Sequence, residues 1–478
     1  MRKLIKHALL FFYVLVTFSV SYSQDNYDKG INAAKSGDYV RALDLLKSVV
    51  NSEDKYEGYY YYGLALLNTG SVKQAESVFQ KALKKDNEGI GALTGLGDLY
   101  SKKKEYDKAD SYYKKALKIE PENIDVLMSQ GKNLTKAGKI DEALNVFFFA
   151  KSLGVNNPSI YVGFGDAYYY RSAFKPAEEN YNKALSLNAK NARAHFGLGQ
   201  IHFKEREYNK ALEQFNESIK DNPNFADVYL EKGRLLYFNE NYDEALKTFE
   251  KYAQLQPGSV DGMTYIAKVK YGQKKYDEAL SDLDKIVASN PDADLSSAYK
   301  YMAYVYNEKE EYDKAKDYFA KVPLDIFDIE DHLKLGQIYA NTQDFVKAYG
   351  EFDKAIQLDP NDFSIYYQIG IVKFNEKKYE DAIFHFQKSI ELGSTQLAAY
   401  VYKGLSLYSL QRYDEALTEF NNTISKDNTY VPAWLWKARS EVALDKFDDA
   451  KVSYNKVLEL DPNNKSAQED LSILDKKQ

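Results

Sequence analysis

The 478 residues contain no cysteine. That excludes a disulfide framework, a Cys-ligated zinc or iron–sulfur centre, a thiol nucleophile and an anchor built on a lipidated Cys. Histidine is nearly as scarce: beyond His7 there are only His195, His202, His332 and His385. There is no H-E-x-x-H, and nothing at zinc-site spacing surrounds the four, so they are expected to serve packing or surface roles. The pairs Gly95/Gly97, Gly163/Gly165 and Gly197/Gly199 lack the third glycine of a dinucleotide fingerprint, and no G-x-S-x-G or phosphate-binding loop occurs. No enzymatic activity, cofactor or metal is therefore expected. Long hydrophobic runs are missing after Gln24. An excess of positive charge is missing too: the formal net charge is −7, which argues against a general nucleic-acid or anionic-membrane binder.

What is present is apolar and aromatic. Hydrophobic residues make up 44% of the chain and charged residues 28%, enough to form a core and too little bias for disorder. Tyrosine is in excess, with 43 Tyr beside 25 Phe and 2 Trp, and has to be placed somewhere. At the N-terminus Arg2, Lys3 and Lys6 precede an unbroken non-ionised stretch, Ala8 to Val20, followed by Ser21-Tyr22-Ser23. This reads as a secretory signal over 1–23, cleaved before Gln24. Its 13 residues fall short of the roughly 20 that span a bilayer. The mature chain is thus expected to be exported, periplasmic or extracellular, with no membrane span.

A period of 34 residues runs through the rest. A first small-residue marker stands at Gly30, Gly63, Gly97, Gly131, Gly165, Gly199, Gly233, Ala267, Ala303, Gly336, Gly370, Gly404 and Ala438. Twelve residues after each comes an alanine, from Ala42 and Ala75 to Ala416 and Ala450, and four residues later an aromatic or Leu, such as Phe79, Tyr113, Phe147 or Leu283. Each unit has two apolar segments of helical spacing joined by a polar turn, which is a helical hairpin. The small markers let the two helices approach, and the large residue fills the space between neighbouring pairs. An aromatic–acid pair, such as Tyr106-Asp107 or Tyr242-Asp243, opens the second helix, the acid acting as N-cap or on the helix dipole. Pro121, Pro223, Pro257, Pro291, Pro360 and Pro462 close units. In Leu358 to Asn361 and Leu460 to Asn463 the sequence Leu-Asp-Pro-Asn stops one helix and offers a cap to the next.

These residues resemble the tetratricopeptide repeat, shown nearly complete in Leu96, Gly97, Tyr100, Ala109, Tyr113, Ala116 and Pro121. The resemblance implies an all-α, right-handed α-solenoid superhelix of about 13 helix pairs. The expected organisation is repeats 1–8 over 24–285, an irregular repeat 9 region over 286–335, repeats 10–13 over 336–464 and a C-terminal cap helix over 465–478 carrying Ala467, Leu471 and Leu474 on one face. Around 286–332 the spacing rises once to 36 and Pro323 interrupts a helix. Either the superhelical curvature breaks locally there, or a loop between repeats absorbs the extra residues.

The resemblance also implies a non-enzymatic scaffold that holds a protein or peptide on its inner face, lined by the first helix of each pair. Four residues after the marker this face carries Tyr169, Phe203, Tyr237 and Tyr271 in successive repeats, then Phe374 and Tyr408. Tyr304 and Tyr367 lie nearby, with Tyr170 and Phe196, and the bases Arg193, Arg234 and Lys268, with Lys132, Lys300 and Arg439, are interspersed. Such a groove would stack a partner's groups on Tyr and hold its carboxylates with Arg or Lys. The competing reading is that the aromatics simply pack between helices. The Lys/Asn/Arg set of a chaperone-binding carboxylate clamp is not assembled. A carbohydrate- or ligand-binding module and an accessory subunit of an envelope or secretion complex are the alternative functions, since a fold does not fix the chemistry of its surface.

Overall fold

The computed structural model describes residues 24–154, 156–256, 259–290 and 293–477. The expected signal over 1–23, Pro257 and Pro291 lie outside the described residues. Among them every regular element is a helix, 27 α-helices and one 3-10 turn. The chain forms two compact units, 1–255 and 256–478.

The first unit holds seven helix pairs: α1 (24–35) with α2 (Tyr39–Glu53), α3 (Tyr56–Asn68) with α4 (Val72–Lys85), α5 (Ile90–Lys102) with α6 (Tyr106–Ile119), and α7 (Ile124–Lys136) with α8 (Ile140–Ser152). It continues with α9 (Pro158–Tyr170) and α10 (Phe174–Leu187), α11 (Ala192–Lys204) and α12 (Tyr208–Asp221), and α13 (Ala226–Phe238) and α14 (Tyr242–Leu255). The second unit holds six: α15 (Val260–Gly272) and α16 (Tyr276–Ser289), α17 (Ser296–Glu308) and α18 (Tyr312–Phe319), α19 (Ile329–Asn341) and α20 (Phe345–Leu358), α21 (Phe363–Asn375) and α22 (Tyr379–Glu391), α23 (Leu397–Ser409) and α24 (Tyr413–Lys426), and α25 (Val431–Ala443) and α26 (Phe447–Leu460). The last helix, α27 (Lys465–Lys477), closes this unit, burying Ala467 and Leu474 against the final pair. The first helix of a pair is called helix A below and the second helix B. Each A packs on its own B, each B on the next A within its unit, and successive A helices such as α7, α9, α11 and α13 touch in order. Each unit is thus an α-solenoid.

The repeat markers explain this packing. Every second-marker alanine from Ala42 to Ala450 is fully buried, so A and B meet at their closest there. The aromatic four residues on is gripped from two sides. A methyl group on Gly131, in the same repeat, would collide with the Phe147 ring, and one on Gly163, in the next repeat, would come within 2.6 Å of it. Phe147 is itself fully buried. Burying such a ring is worth about 2–3 kcal/mol, and the repeat supplies it in eleven of the thirteen hairpins, Leu46 and Leu283 standing in the other two.

The A–B turn has its own signature. The residue seven after each marker has positive φ: Gly37, Gly70 and Gly138 in three repeats, and non-glycine residues such as Lys104 (φ 63°) and Lys274 (φ 60°) in the others. Helix B then starts at the aromatic itself. The following acid therefore sits in the first helical turn, not at the cap, which corrects half of the sequence expectation: Asp107, Asp243 and Asp277 act on the dipole. The preceding cap residues Glu105 and Lys275 make no side-chain capping bond. Some of these acids also pair with the turn of the next repeat, Asp107 with Lys139 at 2.7 Å and Asp277 with Lys309 at 2.5 Å. Similarly, the residue that caps helix A comes one position after the Leu-Asp-Pro-Asn segment: Asp362 accepts from Ser364 N, and Asn464 from Ala467 N.

The irregular stretch lies inside the second unit. Its two extra residues enter the connection from Ser289 to Ser296, which has six residues where the α24–α25 connection has four. Helix α18 stops after eight residues. Pro323 then turns the chain through a 3-10 segment, Leu324–Ile326, and Val322 and Phe327 fold back into the core, Phe327 at 5.7 Å from Phe319.

Candidate functional site

The residue four after the marker is the last but one of helix A, and in every repeat where it is aromatic it packs on the aromatic that opens helix B of the same hairpin. Ring centroids are 5.8 Å apart for Tyr169–Phe174, 5.9 Å for Phe203–Tyr208, 5.5 Å for Tyr237–Tyr242, 5.9 Å for Tyr271–Tyr276, 5.5 Å for Phe374–Tyr379 and 5.1 Å for Tyr408–Tyr413. All six are half-buried. These rings therefore brace the A–B turn and still show an edge to solvent. Phe374 and Tyr408 also touch the next repeat through Tyr402 and Trp436. Tyr367 is half-buried against Phe386.

Tyr304 is a correction. It is 1% exposed, its hydroxyl donates to Asp331 at 2.8 Å and its ring packs on Phe319, so it belongs to the core and not to an accessible face. Burial pushes its hydroxyl pKa far up. Its neighbour Tyr271 donates to Glu308 at 3.2 Å and accepts from Lys334 at 3.2 Å. The bases separate as well. Lys300 is held by Asp328 and Asp331 at 2.8 and 2.7 Å, Arg234 by Glu231 at 3.1 Å, and Lys268 lies over the Tyr265 and Tyr301 rings.

One group of predicted residues does converge. Four successive A helices of the first unit, α7, α9, α11 and α13, line a cleft of about 370 Å³. Its walls include Lys132, Tyr169, Tyr170, Arg193 and Phe196, all five singled out by the repeat frame, together with Asp166, Asp227 and Glu231, which the frame did not suggest. Tyr170 is 57% exposed. Burial, then the charge of Glu231, raises the Tyr169 hydroxyl pKa. Arg193 is fixed by Asp166 through two contacts, 2.9 and 3.3 Å, and lies 5.0 Å above the Phe196 ring.

Asp166 also accepts from the Tyr181 hydroxyl at 2.7 Å. The same device recurs wherever the large residue of helix B is Tyr: Tyr113 donates to Asp98 at 2.7 Å, and Tyr454 to Asp470 at 3.3 Å. Asp98 and Asp166 each follow their marker glycine directly, so the pairing was legible in the sequence as an Asp that appears only where Tyr replaces Phe. A second cleft of about 370 Å³, within the second unit, joins Tyr408, Trp436 and Arg439 to Asp470 and Ile473 of the cap helix.

The histidines serve side-chain contacts. His195 Nδ1 lies 2.8 Å from Gln214, and His332 Nδ1 lies 2.7 Å from Glu351 in a buried pair. His202 was expected to have no ligand set around it, yet its ring, Glu205 and Glu207 place one ligand atom each within 4.8 Å of one another. Glu207 is already engaged by Lys210 at 2.9 Å, so the group is accounted for as a charged turn. No described helix is long and apolar enough to cross a membrane.

Family profiles described as tetratricopeptide repeat match residues 27–90, 91–123, 192–225, 226–259, 329–362, 351–384 and 431–464, and one described as TPR repeat matches 165–205. No curated protein matches. Among solved structures, the Cut9–Hcn1 hetero-tetramer of APC/C is similar over 96% of this chain and 98% of that one, at 15% identity and a TM-score of 0.47. Two MamA structures, from MSR-1 and AMB-1, are 26% identical over 35% of this chain, covering 97% and 99% of theirs, with TM-scores of 0.30 and 0.29.

Proposed function

Because the chain belongs to the tetratricopeptide-repeat family, we propose that it is a non-enzymatic protein-interaction scaffold whose partner segment lies in the cleft across α7, α9, α11 and α13. The observation that carries this reading is the cleft itself. It gathers an exposed Tyr170, the half-buried edge of Tyr169 and a pre-positioned Arg193 on the adjacent helices α9 and α11, between walls supplied by α7 and α13. Rigid aromatic and arginine anchors are the residues that dominate protein interfaces, because they bury large area at low entropic cost. The partner is a protein or peptide. The signal-like residues 1–23 support the further proposal that the scaffold works after export, in the envelope or outside the cell.

A photo-crosslinking residue at position 170, introduced in living cells, tests the site. One dominant protein adduct supports it and identifies the partner. Adducts only from a control at Phe149, on a B helix and 44% exposed, move the binding surface to the other face. Adducts with glycans alone favour the carbohydrate alternative. Export is tested separately: the protein from the envelope or medium should begin at or near Gln24, and a chain retaining Met1 in the cytosolic fraction refutes it.

A further inference from the structure

The charge of the cleft is sorted along its length. Lys132 and Lys136, one turn apart on α7, lie at one end, and Asp227 and Glu231, one turn apart on α13, lie at the other. Both lysines are exposed and make no salt bridge or side-chain hydrogen bond among the described residues; the carboxyl they act on is that of Asp98, on α5. Asp227 is exposed and likewise unbridged, while Glu231 shares its charge with Arg234 at 3.1 Å. In the middle Arg193 is neutralised by Asp166, so the centre offers aromatic surface with little net charge.

We propose that this cleft selects a partner segment whose charges are segregated, acidic side chains at one end, basic at the other and an apolar or aromatic centre. The acidic end lies on Lys132 and Lys136, the aromatic centre on Tyr169 and Tyr170, and the basic end on Asp227 and Glu231. This rests on the reading of the cleft as the partner site and adds what the partner must carry. A uniformly acidic segment would satisfy α7 and meet like charge at α13, and a uniformly basic one the reverse. Like-charge juxtaposition is the repulsive element that sets specificity. Adjacent helices pack about 8–10 Å apart, so the three steps from α7 to α13 cover roughly 24–30 Å, a reach of about eight extended residues. The order of charges therefore also fixes the register in which the segment is held.

The test uses the full mature chain and two fluorescein-labelled dodecapeptides of identical composition. One has two Glu, a Tyr/Phe/Ala centre and two Lys, with Ser spacers. The other has the same residues with Glu and Lys alternating. Anisotropy titrations at low salt should show the segregated peptide binding about tenfold tighter. Lys132→Glu with Lys136→Glu should abolish that preference. Adding Asp227→Lys and Glu231→Lys should restore it, because the inverted cleft accepts the same peptide end for end. Circular dichroism on each variant establishes that the helices persist. Equal affinity for the two peptides, or failure of the quadruple variant to recover, overturns the proposal. If neither peptide binds, the proposal also falls, and the position-170 crosslink then decides whether the partner-site reading falls with it.

Discussion

Replacing Asp166 by leucine should unsettle the stack between α9, α10 and α11 more than any other single polar change in the first unit. Asp166 is 8% exposed, Tyr181 is fully buried, and the carboxylate serves both the Tyr181 hydroxyl at 2.7 Å and Arg193 at 2.9 Å. The substitution strands a buried hydroxyl, at about 1–3 kcal/mol. It also leaves Arg193 without its partner. Removing one member of a fully buried pair costs about 3–5 kcal/mol, but the Arg193 side chain keeps 35% of its exposure, so only a small part of that applies. The total is about 2–4 kcal/mol. Tyr181→Phe alone should cost only about 0.5–1.5 kcal/mol, since the carboxylate keeps the guanidinium. The double variant should cost less than the two singles together by at least about 1 kcal/mol, because both remove the same hydrogen bond. Repeat arrays do not unfold as one unit, so the readout is hydrogen-exchange protection of amides in 158–187, not a global midpoint. Strict additivity, or a loss below about 0.5 kcal/mol for Asp166→Leu, would refute the claim that the carboxylate is what allows Tyr in place of Phe.

Gly131→Ala should destabilise the fourth hairpin by about 1–3 kcal/mol through collision with Phe147, and Phe147→Leu in the same chain should relieve part of it; urea unfolding of the three variants checks this, and a null effect of the single change would contradict the packing. Lys104→Gly should stabilise by up to about 1 kcal/mol, because residue 104 has φ 63° and glycine fills the same turn position in three repeats; thermal melts measure it. Burial raises the Asp98 carboxyl pKa, so the native state holds that proton more tightly than the unfolded chain, and the contribution is full below pH ~4 and falls as pH rises through the native value. Asp98→Asn should flatten that part of the stability–pH curve, measured by urea unfolding from pH 3 upward. His385 has the opposite sign: burial, then Lys373, lowers its pKa, and its Nδ1 has no partner, so stability should fall as pH drops below ~6.5 and His385→Gln should lose less.

The sequence carried the architecture because a repeat states each packing rule thirteen times. One Gly-to-Phe contact is an accident of composition, whereas a small residue, an alanine twelve on and an aromatic four further cannot recur without a common hairpin. What it did not carry depends on the third dimension between repeats. Marker arithmetic places Tyr169 and Tyr304 in comparable settings, four and one residues after their markers, yet one shows an edge to solvent and the other is sealed. The difference is made by residues of the following repeat, Asp331 beside Tyr304, and no rule within a single hairpin reports on them.

Much of the cleft escapes the repeat frame for the same physical reason. The aromatic and basic residues of the frame include Lys132, Tyr169, Tyr170, Arg193 and Phe196, the residue types that anchor protein interfaces. Asp166, Asp227 and Glu231 do not stand out from the general acidity of a chain whose carboxylates recur as helix starts and solvated faces. Yet Asp227 stands six residues before its marker, at the same frame position as Arg193 in the repeat before it. Opposite charges at one frame position in consecutive repeats are a signal that sequence alone contains. Along the stack Lys132 and Lys136 of α7 stand at one end and Asp227 and Glu231 of α13 at the other, and that order, not Arg193, which Asp166 neutralises, gives the face a direction that holds a partner in one register.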